Sequence, residues 1–438
     1  MSSYIRKKTP GNTDWFTHDR FGMFIHFGLY SLGARDEWCK TTEFISEEKY
    51  QRYFDHFNPD LYDAREWARK ARAAGMKYAV LTTKHHEGFC LFDTKYTDYN
   101  VMNTPYGKDI VREFVDAFRA EGLKIGFYYS LIDWHHPEFP IDQIHPRRKD
   151  PDAEEQDRGR DMKKYNEYLR NQVTELLTNY GKVDILWFDY SYPAKEDNPS
   201  WMQFGGGKLR AQWESEKLND LVRSLMPEVI INDRMDFPQD ISTPEQRQAG
   251  TWPRDRETGE YLTWETCHTF SNTWGYARDE HSWKTPKMLI DLLTRSVALG
   301  GNLIMNVGPT GRGNFDDRAD KALEVYAEWM RVNGRSIYGC TMAEPEFEAP
   351  AGTVLTQSED GKRLYIHLQD CHFKAFNFPT LSGKAAYMQL LNDASEVVFV
   401  DNHKAYDAAG NLEDSRLMIR TPPTAYTLLA PVIEVFLK

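Results

Sequence analysis

Short apolar runs alternate with amphipathic stretches along most of this chain. GMFIHFG (22–28), KYAVLTTKHH (77–86), LKIGFYYSL (123–131), VDILWFDY (183–190), EVIINDR (228–234), YLTWETC (261–267) and NLIMNVG (302–308) read as strands. Between them, helices are predicted over 63–75 and 108–122, in a polar stretch ending at LLTNYG, around 208–226, over 285–301, and from about 315 to 334. Two of these stop at Gly75 and Gly122, where glycine suits a helix C-terminus. In 108–122, Ile110, Val111, Phe114, Val115 and Phe118 share one face. The strands are unbroken apolar runs, the mark of a sheet buried on both faces. Seven or eight strand–helix units over about 340 residues predict an α/β fold, an irregular (β/α)8-like TIM-type barrel enlarged by insertions. A doubly wound open sheet is the alternative, but no GxGxxG follows the first strand.

The pattern changes after residue 344. RLYIHL (363–368) follows Asp360-Gly361, a hairpin turn. AAYMQLL, EVVFV, SRLMI and VIEVFLK read as further short strands, with no helical stretch among them. The predicted division is a barrel over 1–344 and a C-terminal antiparallel β-sandwich over 345–438.

The chain has 438 residues and a net charge of -12, which argues against nucleic-acid or anionic-membrane partners. No run of 18 apolar residues occurs, so no membrane span is expected. MSSYIRKKTP is basic with no apolar stretch after it, and a cytoplasmic location is the expectation. Oligomeric state is open, a homo-oligomer included. Cys39, Cys90, Cys267, Cys340 and Cys371 are widely spaced with no CxxC, so neither a disulfide framework nor a zinc knuckle is indicated. The 12 Trp, 24 Tyr and 24 Phe serve mainly as core, and they are also the rings that line carbohydrate clefts.

In a barrel, functional groups gather at the C-terminal ends of strands. Those ends carry His26, with Glu37 and Trp38 in the loop beyond; His85, His86 and Glu87; Tyr128 and Tyr129, then Asp133 to His136; Trp187 and Asp189; and Asn232, Asp233 and Arg234. Glu245 follows in the next loop, then Trp264 and Glu265, and Asn306 ends the last strand. Each has a plainer explanation. His26 and Trp187 suit a core, Glu87 and Glu245 suit solvated loops, and Asp189 suits a helix cap or a pair with Arg234. Their recurrence at one end of successive units favours a site. Two carboxylates among His, Tyr, Arg and Trp suit retaining glycoside hydrolysis, with Asp189 as nucleophile and a loop acid such as Glu245 as acid/base. The competing chemistry is a zinc site of His26, His85, His86 and Asp189, which lacks any HxH or HExxH. NVGPTGRG (306–313) lacks the GxxxxGK[ST] of a phosphate loop, and no GxSxG is present.

GMFIHFGLYS (22–31), DEW (36–38), KHHEGF (84–89), FYYSLIDW (127–134), LLTNYGKVDILWFD (176–189), INDR (231–234), WETC (264–267), SNTWGY (271–276) and NLIMNVGP (302–309) together resemble the α-L-fucosidases of glycoside hydrolase family 29. The resemblance implies an exo-acting retaining hydrolase of terminal α-linked L-fucose, on a (β/α)8-like barrel followed by a β-sandwich. It implies no metal or cofactor. Its substrate is a small-molecule or oligosaccharide carrying terminal L-fucose. It makes Asp189 the nucleophile and His26, His85 and His86 hydrogen-bonders of the sugar hydroxyls. Glu37 and Trp38 touch the same hydroxyls, Tyr129 and Trp187 flank the ring and its methyl group, and Arg234 reaches the nucleophile. For the acid/base it offers Glu245 in STPEQ and Glu265 in WETC; Glu245 is preferred, which leaves Glu265 among the sugar-binding groups. The segment WMQFGGGKLRAQW (201–213) lengthens the path from Asp189 to Arg234, a departure from the family pattern. An inactive fucose-binding protein, or a retaining glycosidase for a related sugar such as α-L-galactose, is the alternative.

Overall fold

A computed structural model describes residues 3–192, 207–370, 374–406 and 412–438. Cys371, and 201–206 of the insertion, lie outside the described residues. Seven parallel strands form the first sheet: β1 (Phe21–Ile25), β2 (Tyr78–Lys84), β3 (Lys124–Ser130), β4 (Ile185–Asp189), β5 (Ile230–Ile231), β6 (Glu265–Thr269) and β7 (Asn302–Val307). Their order is β5-β4-β3-β2-β1-β7-β6. The two edges are joined by the extended stretch 241–245. It bridges Asn232 through Ile241, Trp264 through Ser242, and Cys267 through Glu245. The barrel therefore closes through an irregular stretch in place of a regular eighth strand. The sixth strand starts at Glu265 and not at residue 261, because Tyr261 instead bridges Arg6 and Arg254.

Helices cover the outside as the periodicity requires. Asp63 caps Ala64–Ala73 by accepting from Arg65 N, Asp109 caps Ile110–Ala120 by accepting from Arg112 N, and Thr285 caps Pro286–Ala298. The expected helix around 208–226 is two, Arg210–Trp213 and Ser215–Leu225, broken at Glu214 with φ 48°. The sheet has two distinct faces. Phe24, Tyr78, Val80, Tyr128, Ile185, Trp187 and Ile304 fill the barrel interior. Ile125, Phe127, Tyr129, Leu186 and Phe188 join the larger core under the helices. Gly22 lets Tyr78 into the interior, since a Cβ there would lie 2.2 Å from its ring.

A second, separate apolar core spans 343–435. Its five-stranded sheet has the order β12-β15-β10-β9-β8, from β8 (Cys340–Met342), β9 (Thr353–Ser358), β10 (Arg363–Leu368), β12 (Ala385–Leu390) and β15 (Val432–Leu437). A three-stranded sheet holds β11 (Ala375–Asn377), β13 (Phe399–Tyr406) and β14 (Leu412–Arg420). Because β8 already pairs with β9, this sheet starts ahead of residue 345. Asp360-Gly361 does turn β9 into β10, with Gly361 at φ 73°. Trp329 Nε1 donates to Ala430 O at 3.0 Å and fastens the second unit to the barrel's last helix.

Candidate active site

The C-terminal ends of the barrel strands open into a cleft of about 450 Å³. β4 delivers Asp189 to its floor, and β3 lies alongside in a register that pairs Tyr128 with Trp187 and Ser130 with Asp189. Tyr128 Oη donates to Asp189 Oδ2 at 2.9 Å, and Arg234 Nη1 donates to Asp189 Oδ1 at 3.1 Å. Burial pushes the Asp189 carboxyl up to about 6, against the pull of Arg234 and with a further push from Glu245. The Arg234 charge and the Tyr128 hydrogen bond oppose that burial and favour the ionised form.

Arg234 reaches the site from just past β5. Its Nε and Nη2 donate to Thr243 Oγ1 and O at 3.2 and 3.1 Å, and its guanidinium stacks 4.9 Å over the Trp187 ring. The same Nη1 that holds Asp189 also donates to Glu245 Oε2 at 3.0 Å. One shared donor brings the two carboxylates together, their facing oxygens no more than about 6 Å apart. Glu245 keeps 43% of its side chain exposed, on the open side of the cleft. Its backbone bridges Cys267 of β6, so this acid is held in place by the barrel closure and not carried on a free loop.

His26, His85 and His86 also line the cleft, His86 Nε2 lying 3.9 Å from Asp189 Oδ2. His26 Nδ1 lies 2.6 Å from Asn306 Oδ1, and His86 Nδ1 lies 2.7 Å from Ser130 Oγ. Burial drives the His26 imidazole down to about 3 and puts the other two well below the usual range, so all three are neutral. Glu37 accepts from Gly275 N at 2.7 Å and Trp274 N at 3.2 Å, which ties the loop after β1 to the loop after β6. Burial raises the Glu37 carboxyl to about 7. The Trp38 ring packs on His86 at 5.0 Å and Tyr190 at 5.4 Å.

Two expected sugar contacts are not at the cleft. Tyr129 points to the other face of β3: it is fully buried, bonded to Gln172 Oε1 at 2.7 Å and capped by Lys84 Nζ at 4.3 Å. Side chains alternate along a strand, so Tyr128 takes the place beside Trp187. Glu265, at the start of β6, lies deep in the barrel, hydrogen-bonded to Tyr78 Oη and with no exposed surface. Burial raises it to about 8, so it rests as a neutral acid beneath the cleft. Glu87 is likewise interior, accepting from Leu29 N and Tyr50 Oη. The cleft also contains Phe24, Tyr190, Ser191, Gln246, Cys267 and Trp274, none of which was assigned a role from the sequence. Phe24, Cys267 and Trp274 fall inside GMFIHFGLYS, WETC and SNTWGY, so the signal for them lay in those segments.

Residues 5–335 match the α-L-fucosidase family model. The chain belongs to the α-L-fucosidase family. It is 30% identical to an α-L-fucosidase of Dictyostelium discoideum over 370 residues, 74% of this chain and 71% of that one. α-L-Fucosidase isoenzyme 1 from Paenibacillus thiaminolyticus superposes with a TM-score of 0.88 at 41% identity, covering 97% of this chain and 98% of that one. A Bacteroides thetaiotaomicron α-L-fucosidase trapped as a covalent intermediate with 2-fluoro-fucosyl fluoride superposes with a TM-score of 0.79 at 27% identity, over 100% and 99% of the two chains. The fucosidase fold of barrel and β domain thus extends over the whole of this chain.

Proposed function

We propose that this chain is an exo-acting retaining α-L-fucosidase that removes terminal α-linked L-fucose by double displacement. The observation that carries it is the Asp189–Arg234–Glu245 constellation at the mouth of a barrel that belongs to the α-L-fucosidase family. Asp189 attacks C1 while Glu245, protonated, gives its proton to the departing glycosidic oxygen. The C1–O bond to the aglycone breaks as the C1–Oδ ester forms. Glu245, now a carboxylate, takes a proton from water, which displaces Asp189 with net retention. Arg234 and Tyr128 aim Asp189 and favour its ionised form. His26, His85, His86, Glu37 and Trp38 fix the sugar hydroxyls, a positioning effect worth several kcal/mol. Trp187 floors the ring.

Hydrolysis of 4-nitrophenyl α-L-fucopyranoside by the wild type and Asp189→Ala is the test. Rapid release by the first and near-silence from a folded second supports the assignment. A silent wild type, or an active mutant, sinks it. A pocket that packs the fucose methyl prefers this substrate to the α-L-galactoside by about 1–3 kcal/mol.

A further inference from the structure

We propose that Asn306 and Ser130 are positioning residues that hold His26 and His86 in the Nδ1–H form, so that each turns a bare Nε2 acceptor toward the ligand. The nature of that ligand rests on the fucosidase reading; the placement of the protons does not.

Two backbone carbonyls, which can only accept, fix the direction of these hydrogen bonds. Asn306 Nδ2 lies 2.6 Å from Trp274 O. The amide nitrogen must face that carbonyl, because the flipped amide would set two oxygens 2.6 Å apart. Asn306 Oδ1 therefore faces His26 Nδ1 at 2.6 Å, and the hydrogen between them belongs to the imidazole. Ser130 repeats the device. Its Oγ is 2.7 Å from Ile132 O and gives that carbonyl its one hydrogen. It accepts from Ile132 N at 3.1 Å, and its remaining lone pair meets His86 Nδ1 at 2.7 Å. His86 supplies that hydrogen. A neutral imidazole carries one N–H, so Nε2 of both rings is a lone pair.

Neither Asn306 nor Ser130 lines the cleft, and both are buried. Their effect on a ligand passes through the histidines. His86 Nε2 stands 3.9 Å from Asp189 Oδ2, two acceptors facing each other. A ligand group beside either ring must bring its own hydrogen. A hydroxyl does so; fluorine and an ether oxygen do not. The two rings therefore select hydroxyl donors by polarity as well as by shape, and the substrate's hydroxyls at these two places are donors.

The test is a long-range ¹H–¹⁵N spectrum of the full chain with ¹⁵N-labelled histidine, His26 and His86 being identified by the signals lost in His26→Asn and His86→Asn. Both rings are expected to show a protonated Nδ1 and an unprotonated Nε2. Ser130→Ala is expected to move His86 away from that form and to lower kcat/KM at least tenfold, and Ser130→Thr, which keeps the hydroxyl, to restore both. Nε2–H on either ring of the wild type overturns the proposal. So does an unchanged His86 tautomer in folded Ser130→Ala. The spectrum is read without substrate. Failure to hydrolyse α-L-fucosides would undo the functional reading while leaving the tautomers as found.

Discussion

Asp189 and Glu245 are joined through a single atom, Arg234 Nη1, 3.1 Å from one and 3.0 Å from the other. Arg234 thus screens two acids from each other and opposes the burial that pushes Asp189 upward. Arg234→Met removes both effects. Asp189 should then titrate above its value of about 6, and the acid limb of the kcat/KM profile should move to higher pH, with a loss of about 10²–10³ in rate at neutral pH. A pH–rate profile checks this; an acid limb left in place would mean that Arg234 acts by packing alone.

The wild-type profile follows from the same group. Asp189 works ionised, so kcat/KM should fall about tenfold per pH unit below about 6. The stability consequence has the opposite sign from that of a paired surface carboxylate. A carboxyl whose folded pKa is raised holds its proton better when folded, so its contribution is present at low pH and lost as pH rises through about 6. Asp189→Asn should therefore stabilise the protein at pH 7 by about 1–3 kcal/mol, with the gain shrinking toward pH 4. Denaturant titrations at the two pH values measure it, and a mutant less stable at pH 7 than at pH 4, relative to wild type, would contradict the sign.

Tyr128 and Tyr129 separate what the sequence carried from what it did not. FYYSLIDW marked the strand end, but an unbroken apolar run has no polar alternation to say which residue faces inward. The register resolves it: Tyr128 pairs with Trp187, and both belong to the interior cluster. Asp189 and the three histidines were legible because they stand at or just past the C-terminal ends of β1, β2 and β4, where the cleft opens. Glu265 was misplaced because WETC gave no sign that β6 starts at that glutamate, leaving it at the closed end of the strand. The barrel closure through 241–245 was hidden for a related reason, being single bridges without an apolar run. The expected outcome for Tyr128→Phe is a fall of about tenfold or more in kcat/KM, since it removes a donor to Asp189. Tyr129→Phe should cost about 1 kcal/mol of stability through Gln172 and leave kcat near wild type. Equal kinetic losses in the two would refute the facing.

Glu245 and Glu265 divide in the same way. Glu245→Ala should lose several orders of magnitude on substrates with poor leaving groups, and azide should restore turnover of the 4-nitrophenyl substrate by taking water's place in the second displacement, giving an α-fucosyl azide with net retention. Glu265 is buried and neutral, so Glu265→Gln, close in shape to the protonated acid, should keep most activity and show no azide product. Product analysis decides between them, and azide product from the Glu265 variant would return the acid/base role to β6.

Tyr190, the residue after Asp189, holds φ at 88°, a region costly to any side chain. Its ring packs on Trp38, His86 and Tyr192 at 5.4, 5.0 and 5.6 Å. Tyr192 is in turn bonded to Asp142, which also takes Lys208, so the contacts that hold this backbone are anchored outside the cleft. Tyr190→Gly and Tyr190→Ala lose the same ring and differ chiefly in backbone freedom. Alanine ordinarily gives the more stable protein by about 0.4–1 kcal/mol, because glycine has more freedom to lose on folding. Here the order should reverse, with the glycine variant ahead by about 1 kcal/mol, since glycine alone meets this φ without strain. Both should show a similar rise in KM, as Trp38 and His86 lose a shared neighbour. Denaturant midpoints decide the first point and steady-state kinetics the second. An alanine variant more stable than the glycine one would remove strain as the property of this position.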